Sequence, residues 1–195
     1  MDARETIALL PEAARATSAV VDRITDEAWS WPTPCDEWDV RDLLNHLTSE
    51  HLWAPHLLRG ETLEQVGDRY DGDVLGADPR DTWRRTIAAS MLAWGSADPD
   101  GRVHTSMGLI PVGVYAIQML TDLTVHGWDL AKGARTAYEP VPDAVEAIWA
   151  AYRPRRRNGD PIAPVFAAPV PTDSEDRLDQ LVALLGRSPD WSAAA

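Results

Sequence analysis

Asp122 and His126 stand four residues apart in YAIQMLTDLTVHGWDL, residues 115–130. Four residues return to nearly the same side of an α-helix, so the carboxylate and the imidazole project together. Side by side on an otherwise apolar face, they admit two explanations. They can ligate a metal, or they can form a hydrogen-bonded pair that locks helices together, since buried polar groups ordinarily have partners. The remaining histidines are His46, His51, His56 and His104. Of these only His46, between Leu43 and Leu47, falls on the apolar face of a long predicted helix. His51 and His56 map to the more exposed side of that helix, and His104 to a connector. His46 with Asp122 and His126 makes two imidazoles and one carboxylate, which leaves coordination positions open for water or substrate. Glu50, one turn beyond His46, is a candidate fourth group or base. Asp129, one turn after His126, is a candidate supporting or acid/base group, with surface exposure the alternative.

Helices must hold these groups. Apolar spacing predicts a first helix over Pro11–Ile24, with the proline at its first position and a separate short turn before it. SWPTPCDEWDV reads as an ordered loop, after which Asp39 caps a helix running from Val40 to about Arg59, kinked near Pro55. A polar loop over 60–77 leads to Asp78-Pro79-Arg80-Asp81, a helix start with a cap, a first-turn proline and an early acidic residue. That third helix runs to about Trp94. Residues 95–110 form a connector, with 102–105 extended. A fourth helix runs from about Val112 to Lys132 and stops at Gly133. A shorter helix over Pro142–Tyr152, an irregular stretch and a closing helix in SEDRLDQLVALLG complete the chain. Strand signals are nearly absent. The expected fold is all-α: one domain of residues 1–195, with a four-helix bundle over about 1–135 and a small helical C-terminal extension over about 136–195.

Composition removes several function classes. A formal charge of −13 and a pI near 4.6 argue against nucleic-acid surfaces and anionic membranes, both of which need clustered Lys and Arg. The single cysteine, Cys35, allows no intrachain disulfide and no Cys-rich zinc site. In its small apolar loop it reads as packing more readily than as a reactive thiol. The N-terminus lacks a basic region followed by an apolar run, so a cytoplasmic protein is expected. No glycine-rich phosphate loop, GxSxG elbow or HExxH appears. The dense positive run is Arg153, Arg155, Arg156 and Arg157. In so acidic a chain, Arg155 and Arg156 are candidates for holding a carboxylate or the polar end of a cofactor, although most such runs are solvated.

Three stretches together carry a resemblance: TPCDEWDVRDLLNHL (33–47), LTDLTVHGWDLAKGA (120–134) and PVPTDSEDRLDQLVALLGRSPDW (169–191). They resemble the DinB-like superfamily of metal-binding four-helix bundles. More closely, they are similar to the actinobacterial branch related to the N-terminal domain of mycothiol-dependent maleylpyruvate isomerase. The resemblance spans nearly the whole chain. It implies a divalent metal at the bundle centre, with the family's helix-two histidine at His46 and its carboxylate-x-x-x-histidine pair at Asp122 and His126. The donor set suits zinc first, and also nickel, iron or manganese. The resemblance further implies mycothiol as co-substrate, a small electrophilic substrate and a homodimer. Two departures bear on activity. The isomerase has glutamate where Asp122 stands, and it carries a second C-terminal domain that this chain is too short to match. The expected function is therefore a metal- and mycothiol-dependent transferase or isomerase acting on a small electrophilic substrate, with maleylpyruvate isomerisation itself disfavoured by these departures. The alternatives are a non-catalytic metal-binding bundle and a purely structural or interaction bundle.

Overall fold

The computed structural model describes residues 1–158 and 166–193, with the side chains of 156–158 outside that description. Four long helical elements form the bundle: α1 (Ala3–Val21), α2 (Val40–Leu58), α4 (Pro79–Gly95) and a composite fourth made of α5 (Val112–Thr121), a π-helical turn (Asp122–His126) and α6 (Gly127–Gly133). A short α3 (Leu63–Val66) interrupts the loop after α2, and α7 (Pro142–Asn158) and α8 (Arg177–Leu184) make the C-terminal region. The all-α expectation holds. The one departure is a small antiparallel hairpin, β1 (Arg102–Thr105) with β2 (Gly108–Pro111), at the entry to α5. No helix among the described residues is long and apolar enough to cross a membrane.

Local chemistry explains the boundaries. Asp39 caps α2 in a reciprocal box with Asp42, and Asp78 caps α4 ahead of Pro79. The first helix differs from expectation. It starts at Ala3, not Pro11, because Asp2 and Glu5 form a capping box eight residues earlier in the chain than the apolar repeat suggested. Pro11 then lies inside α1. Its lost hydrogen bond, about 3 kcal/mol, is offset by burial of Thr6 and Leu10 on the helix face that also carries Ala13, Ala14, Thr17, Val20 and Val21. Pro142 does start α7, but that helix continues past Tyr152 to Asn158.

The core is filled by Leu43, Leu44, Leu47, Trp83, Trp94, Met119, Leu120, Leu123 and Leu130, none more than 1% exposed. α1 packs on α5, the π turn and α6, while α2 packs on α4 and crosses the π turn and α6. α7 lies against α5 and α1, with α8 on α7. The composite helix therefore has neighbours on every side, and its midpoint is where the bundle is deepest.

Candidate metal centre

That midpoint is not α-helical. Asp122–His126 form a π turn, closed by i→i+5 rather than i→i+4 bonds. Its surroundings supply extra donors. The Thr121 hydroxyl donates back to the Ile117 carbonyl at 2.6 Å, and the Thr17 hydroxyl of α1 donates to the Leu123 carbonyl at 2.8 Å. The close approach of α1 is possible because residue 127 is glycine: a Cβ there would lie 2.9 Å from Thr17 Oγ1. The four-residue spacing of Asp122 and His126 thus falls just under one wide turn instead of just over one α-turn, and both side chains still leave the same side. His46 reaches them from α2. Ligand atoms of His46, Asp122 and His126 all lie within 4.8 Å of one another, and the two imidazole rings meet edge-on at 5.3 Å between centroids.

Two features suit these three residues to a cation. Among the described residues neither His46 nor Asp122 makes a side-chain hydrogen bond, although both are half-buried. Burial dominates the electrostatics of both. Burial, and then the proximity of His126, pushes His46 down to about 3, so it is a neutral donor at pH 7. Burial raises the Asp122 carboxyl above its ordinary range, against the pull of His126 and Arg187. Glu50, four residues after His46 and half-buried, is pushed up to about 7 by burial and by Asp122, with His126 pulling the other way. The Tyr115 hydroxyl, buried without a hydrogen-bond partner, is raised by burial and by the charges of Glu50 and Asp122.

His126 is held from its other nitrogen. Nδ1 lies 2.9 Å from Oδ2 of Asp129, which is completely buried, so the surface alternative for Asp129 is excluded. Burial would lower His126, but the hydrogen bonds to Asp129 and Cys35 and the carboxylates of Asp129 and Asp122 hold it up to about 10. Burial would likewise raise Asp129, yet the His126 hydrogen bond and the Arg187 charge keep it below the usual carboxylate range. With Nδ1 committed to Asp129, Nε2 is the nitrogen left for a ligand, the arrangement in which a carboxylate orients a metal-binding imidazole. Cys35, Asp129 and His126 also bring ligand atoms within 4.8 Å of one another. That second group already contains a cation: the Arg187 guanidinium donates to Asp129 Oδ2 at 3.1 Å and to Cys35 Sγ at 3.2 Å.

Loop 31–39 brings Cys35 and Trp38 to this place. Thr33 Oγ1 donates to the Trp38 carbonyl at 2.8 Å and accepts from the Cys35 amide at 3.1 Å, and Pro32 bridges to Asp39. Trp38 stacks on His46 at 4.7 Å between centroids, tilted by 30°. On the C-terminal side, Arg187 lies over the Phe166 ring at 5.6 Å, and Phe166 meets Tyr152 edge-on at 5.7 Å.

Other candidates fall elsewhere. His51, expected on the exposed side of α2, is fully buried, with Nδ1 2.9 Å from Ser90 Oγ and its ring edge-on to Trp83. The tight α2–α4 contact closes the face that a simple helical wheel leaves open. His56 pairs with Glu61 and Tyr70, and His104 sits on β1. Arg155 is exposed, its guanidinium 6.0 Å from the Tyr152 ring, and Arg153 lies over Trp149 at 5.4 Å. The Arg156 side chain lies outside the described residues. A groove of about 390 Å³ between α1 and α4, lined by Pro11, Ala14, Ser18, Ile87 and Met91, contains none of the candidate residues. Arg187 escaped sequence reading altogether, since one arginine after a terminal helix carries no periodic signal; its neighbour Gly186, a helix-stop glycine, is the only local hint that the chain turns back there.

Comparison with known proteins gives a family. Residues 10–131 match the family described as the mycothiol maleylpyruvate isomerase N-terminal domain. The chain is 29% identical over 185 residues to the uncharacterized proteins MT0763 and Rv0738 of two Mycobacterium tuberculosis strains. That alignment covers 89% of this chain and 92% of each relative. No solved structure matches significantly. The family match takes in α2, the π turn and most of α6, and hence His46, Asp122, His126 and Asp129, and it spans more than half of the chain: this protein belongs to the mycothiol maleylpyruvate isomerase N-terminal domain family.

Proposed function

We propose that the chain holds a divalent metal ion, zinc foremost, through His46, Asp122 and His126, and uses it to activate a small thiol of the mycothiol type toward an electrophilic carbon. The observation that carries this reading is the convergence of three ligand atoms from two helices within 4.8 Å, with no side-chain hydrogen bond to His46 or Asp122 among the described residues. The family membership supplies the thiol. When bound, a divalent ion provides a Lewis acid that lowers the pKa of a thiol or water beside it.

The chain's own residues do the rest. Asp129 keeps the His126 ring oriented, with Nε2 toward the site. Glu50, titrating at about 7, takes the thiol proton on a carboxylate oxygen; the sulfur adds to one carbon of an electron-poor double bond, the π pair moves to its neighbour, and Glu50 returns the proton there. Trp38, Tyr152 and Phe166 provide apolar walls that exclude water from a thiolate. Arg155, exposed with its guanidinium 6.0 Å from the Tyr152 ring, would meet a carboxylate of the substrate or thiol. A non-catalytic ion that pins α2 to the π turn is the second reading; Trp38, stacked over His46, favours it by covering one side of the cluster.

Elemental analysis of purified protein, followed by a panel of electrophiles with mycothiol, tests both. One divalent ion per chain, with thiol-dependent turnover lost in His126→Ala, is expected. A bound ion without turnover on any electrophile would favour the pinning role. Protein that takes up no divalent ion, with melting unchanged by a chelator, would sink both.

A further inference from the structure

We infer that Arg187, contributed by the chain end beyond the family-matched region, is a positioning residue for His126, acting through Asp129. The inference rests on the metal reading above but has a readout that does not need the ion.

Three groups converge on one oxygen. Asp129 Oδ2 receives His126 Nδ1 at 2.9 Å, Arg187 at 3.1 Å and the Cys35 thiol at 3.4 Å, while Oδ1 has no hydrogen-bond partner among the described residues. A fully buried carboxylate that faced His126 alone would be free to rotate toward a second acceptor geometry. Arg187 removes that option by donating to the same oxygen and so fixing which one faces the ring. The same guanidinium donates to Cys35 Sγ at 3.2 Å and to the Leu185 carbonyl at 2.9 Å, so it is itself fixed at three points.

The placement of Arg187 is built in by the end of α8. Gly186 takes φ +89, a conformation that side-chain-bearing residues rarely adopt. Its N–H donates to the Ala183 carbonyl, and that of Arg187 to the Val182 carbonyl at 2.9 Å. These two bonds form a Schellman motif, which turns the chain sharply back on the helix end. Arg187 is thereby sent inward, to 8% exposure, instead of along the α8 axis. Two residues later Lys132 of α6 donates to the Pro189 carbonyl at 2.9 Å, which ties the following segment to the same helix as His126.

The test uses full-length wild type, Asp129→Asn, Arg187→Ala, Arg187→Lys and the Asp129→Asn/Arg187→Ala double variant. Thermal melts identify folded variants, and Arg187→Lys preserves the charge if the alanine form does not fold. Co²⁺ affinity is measured by chelator competition, with the visible spectrum reporting coordination. Asp129→Asn is expected to weaken Co²⁺ binding about 10- to 100-fold and Arg187→Ala about tenfold, with Arg187→Lys in between wild type and alanine. In the Asp129→Asn background, Arg187→Ala is expected to add less than about twofold, because the two act in series. Additive losses, or Arg187→Ala with wild-type affinity, would overturn the relay and leave the metal site standing. In metal-free protein, the hydrogen-bonded Nδ1 proton of His126 is expected as a slowly exchanging downfield NMR signal in wild type. It is expected to be lost in Asp129→Asn and broadened in Arg187→Ala and Arg187→Lys. Wild type without Co²⁺ uptake would defeat the metal reading, and the Nδ1 signal alone would then decide the relay: unchanged in both Arg187 variants, it overturns the inference.

Discussion

At the scale of single residues, the site contrasts two imidazoles in one cluster. His46 is kept neutral by burial, whereas His126 is kept charged in the metal-free protein by Asp129, Cys35 and Asp122. A metal on Nε2 of His126 must displace one proton, so binding is coupled to pH. Apparent Co²⁺ affinity is expected to rise about tenfold per pH unit between pH 6 and 9, one proton leaving for each ion bound. A flat profile in a competition titration would show that His126 does not surrender a proton on binding. His51 makes a separate prediction. Burial, and then the nearby His46, lowers it from 6.5 to about 3. The unfolded chain therefore takes up this proton below pH 6.5 while the folded chain does not, and stability falls as pH drops toward 3. One such group is worth about 1.4 kcal/mol per pH unit in that window. His46 adds to the loss, and Glu50, raised to about 7, opposes it, because the folded protein gains that proton first. His51→Gln is expected to flatten the acid limb of a urea-melt pH series by one proton; an unchanged slope would show that His51 does not govern it. His126 works on the alkaline side: its contribution is complete below pH 6.5 and is lost as pH rises through about 10.

Among elements, the composite fourth helix depends on close approaches at its glycines. Gly133 lies where a Cβ would meet Thr33 Cγ2 at 2.9 Å, the Pro32 carbonyl at 3.0 Å and Val40 Cγ2 at 3.0 Å. The contacted residues belong to loop 31–39 and the first residue of α2, so the loop bearing Cys35 and Trp38 is seated directly on the end of α6. Gly133→Ala improves intrinsic helix propensity by about 1 kcal/mol. Overpacking against a backbone carbonyl costs about 1–3 kcal/mol. The balance is expected to be destabilising, with a lowered denaturant midpoint and, because Trp38 stacks on His46, altered tryptophan fluorescence. A midpoint at or above wild type would show that the loop yields easily. The π turn has a similar logic. The Thr17 hydroxyl of α1 donates to its Leu123 carbonyl, and the Thr121 hydroxyl donates to the Ile117 carbonyl in the preceding turn of α5, so the π turn persists with support from a neighbouring helix.

For the whole molecule, the C-terminal region is part of the bundle's construction. Leu181, Val182 and Leu185 are completely buried, and Arg187 and Pro189 contact α6. Each large apolar side chain returned to water costs about 1.5–3 kcal/mol, and domains of this size have only about 5–15 kcal/mol in hand. A chain ending at Thr172 is expected to lose cooperative unfolding or to melt far below full-length protein by circular dichroism. Wild-type melting in that truncation would show that the bundle stands without α8 and the segment after it.

Much of this was legible in the chain itself. The caps at Asp39 and Asp78, the 3.6-residue apolar repeats of α2 and α4, and the Gly133 stop are local signals, and the elements follow them. The juxtaposition of Asp122 and His126 follows from spacing within one element, and His46 from its place in the apolar repeat of another. What only the tertiary structure decided are the relations between elements. The widened π turn depends on a donor from α1, the burial of His51 on contact with α4, and the environment of Asp129 on a guanidinium that is 58 residues away in sequence. Periodicity reports how a residue sits on its own helix, and no local pattern reports which distant side chain folds back to meet it.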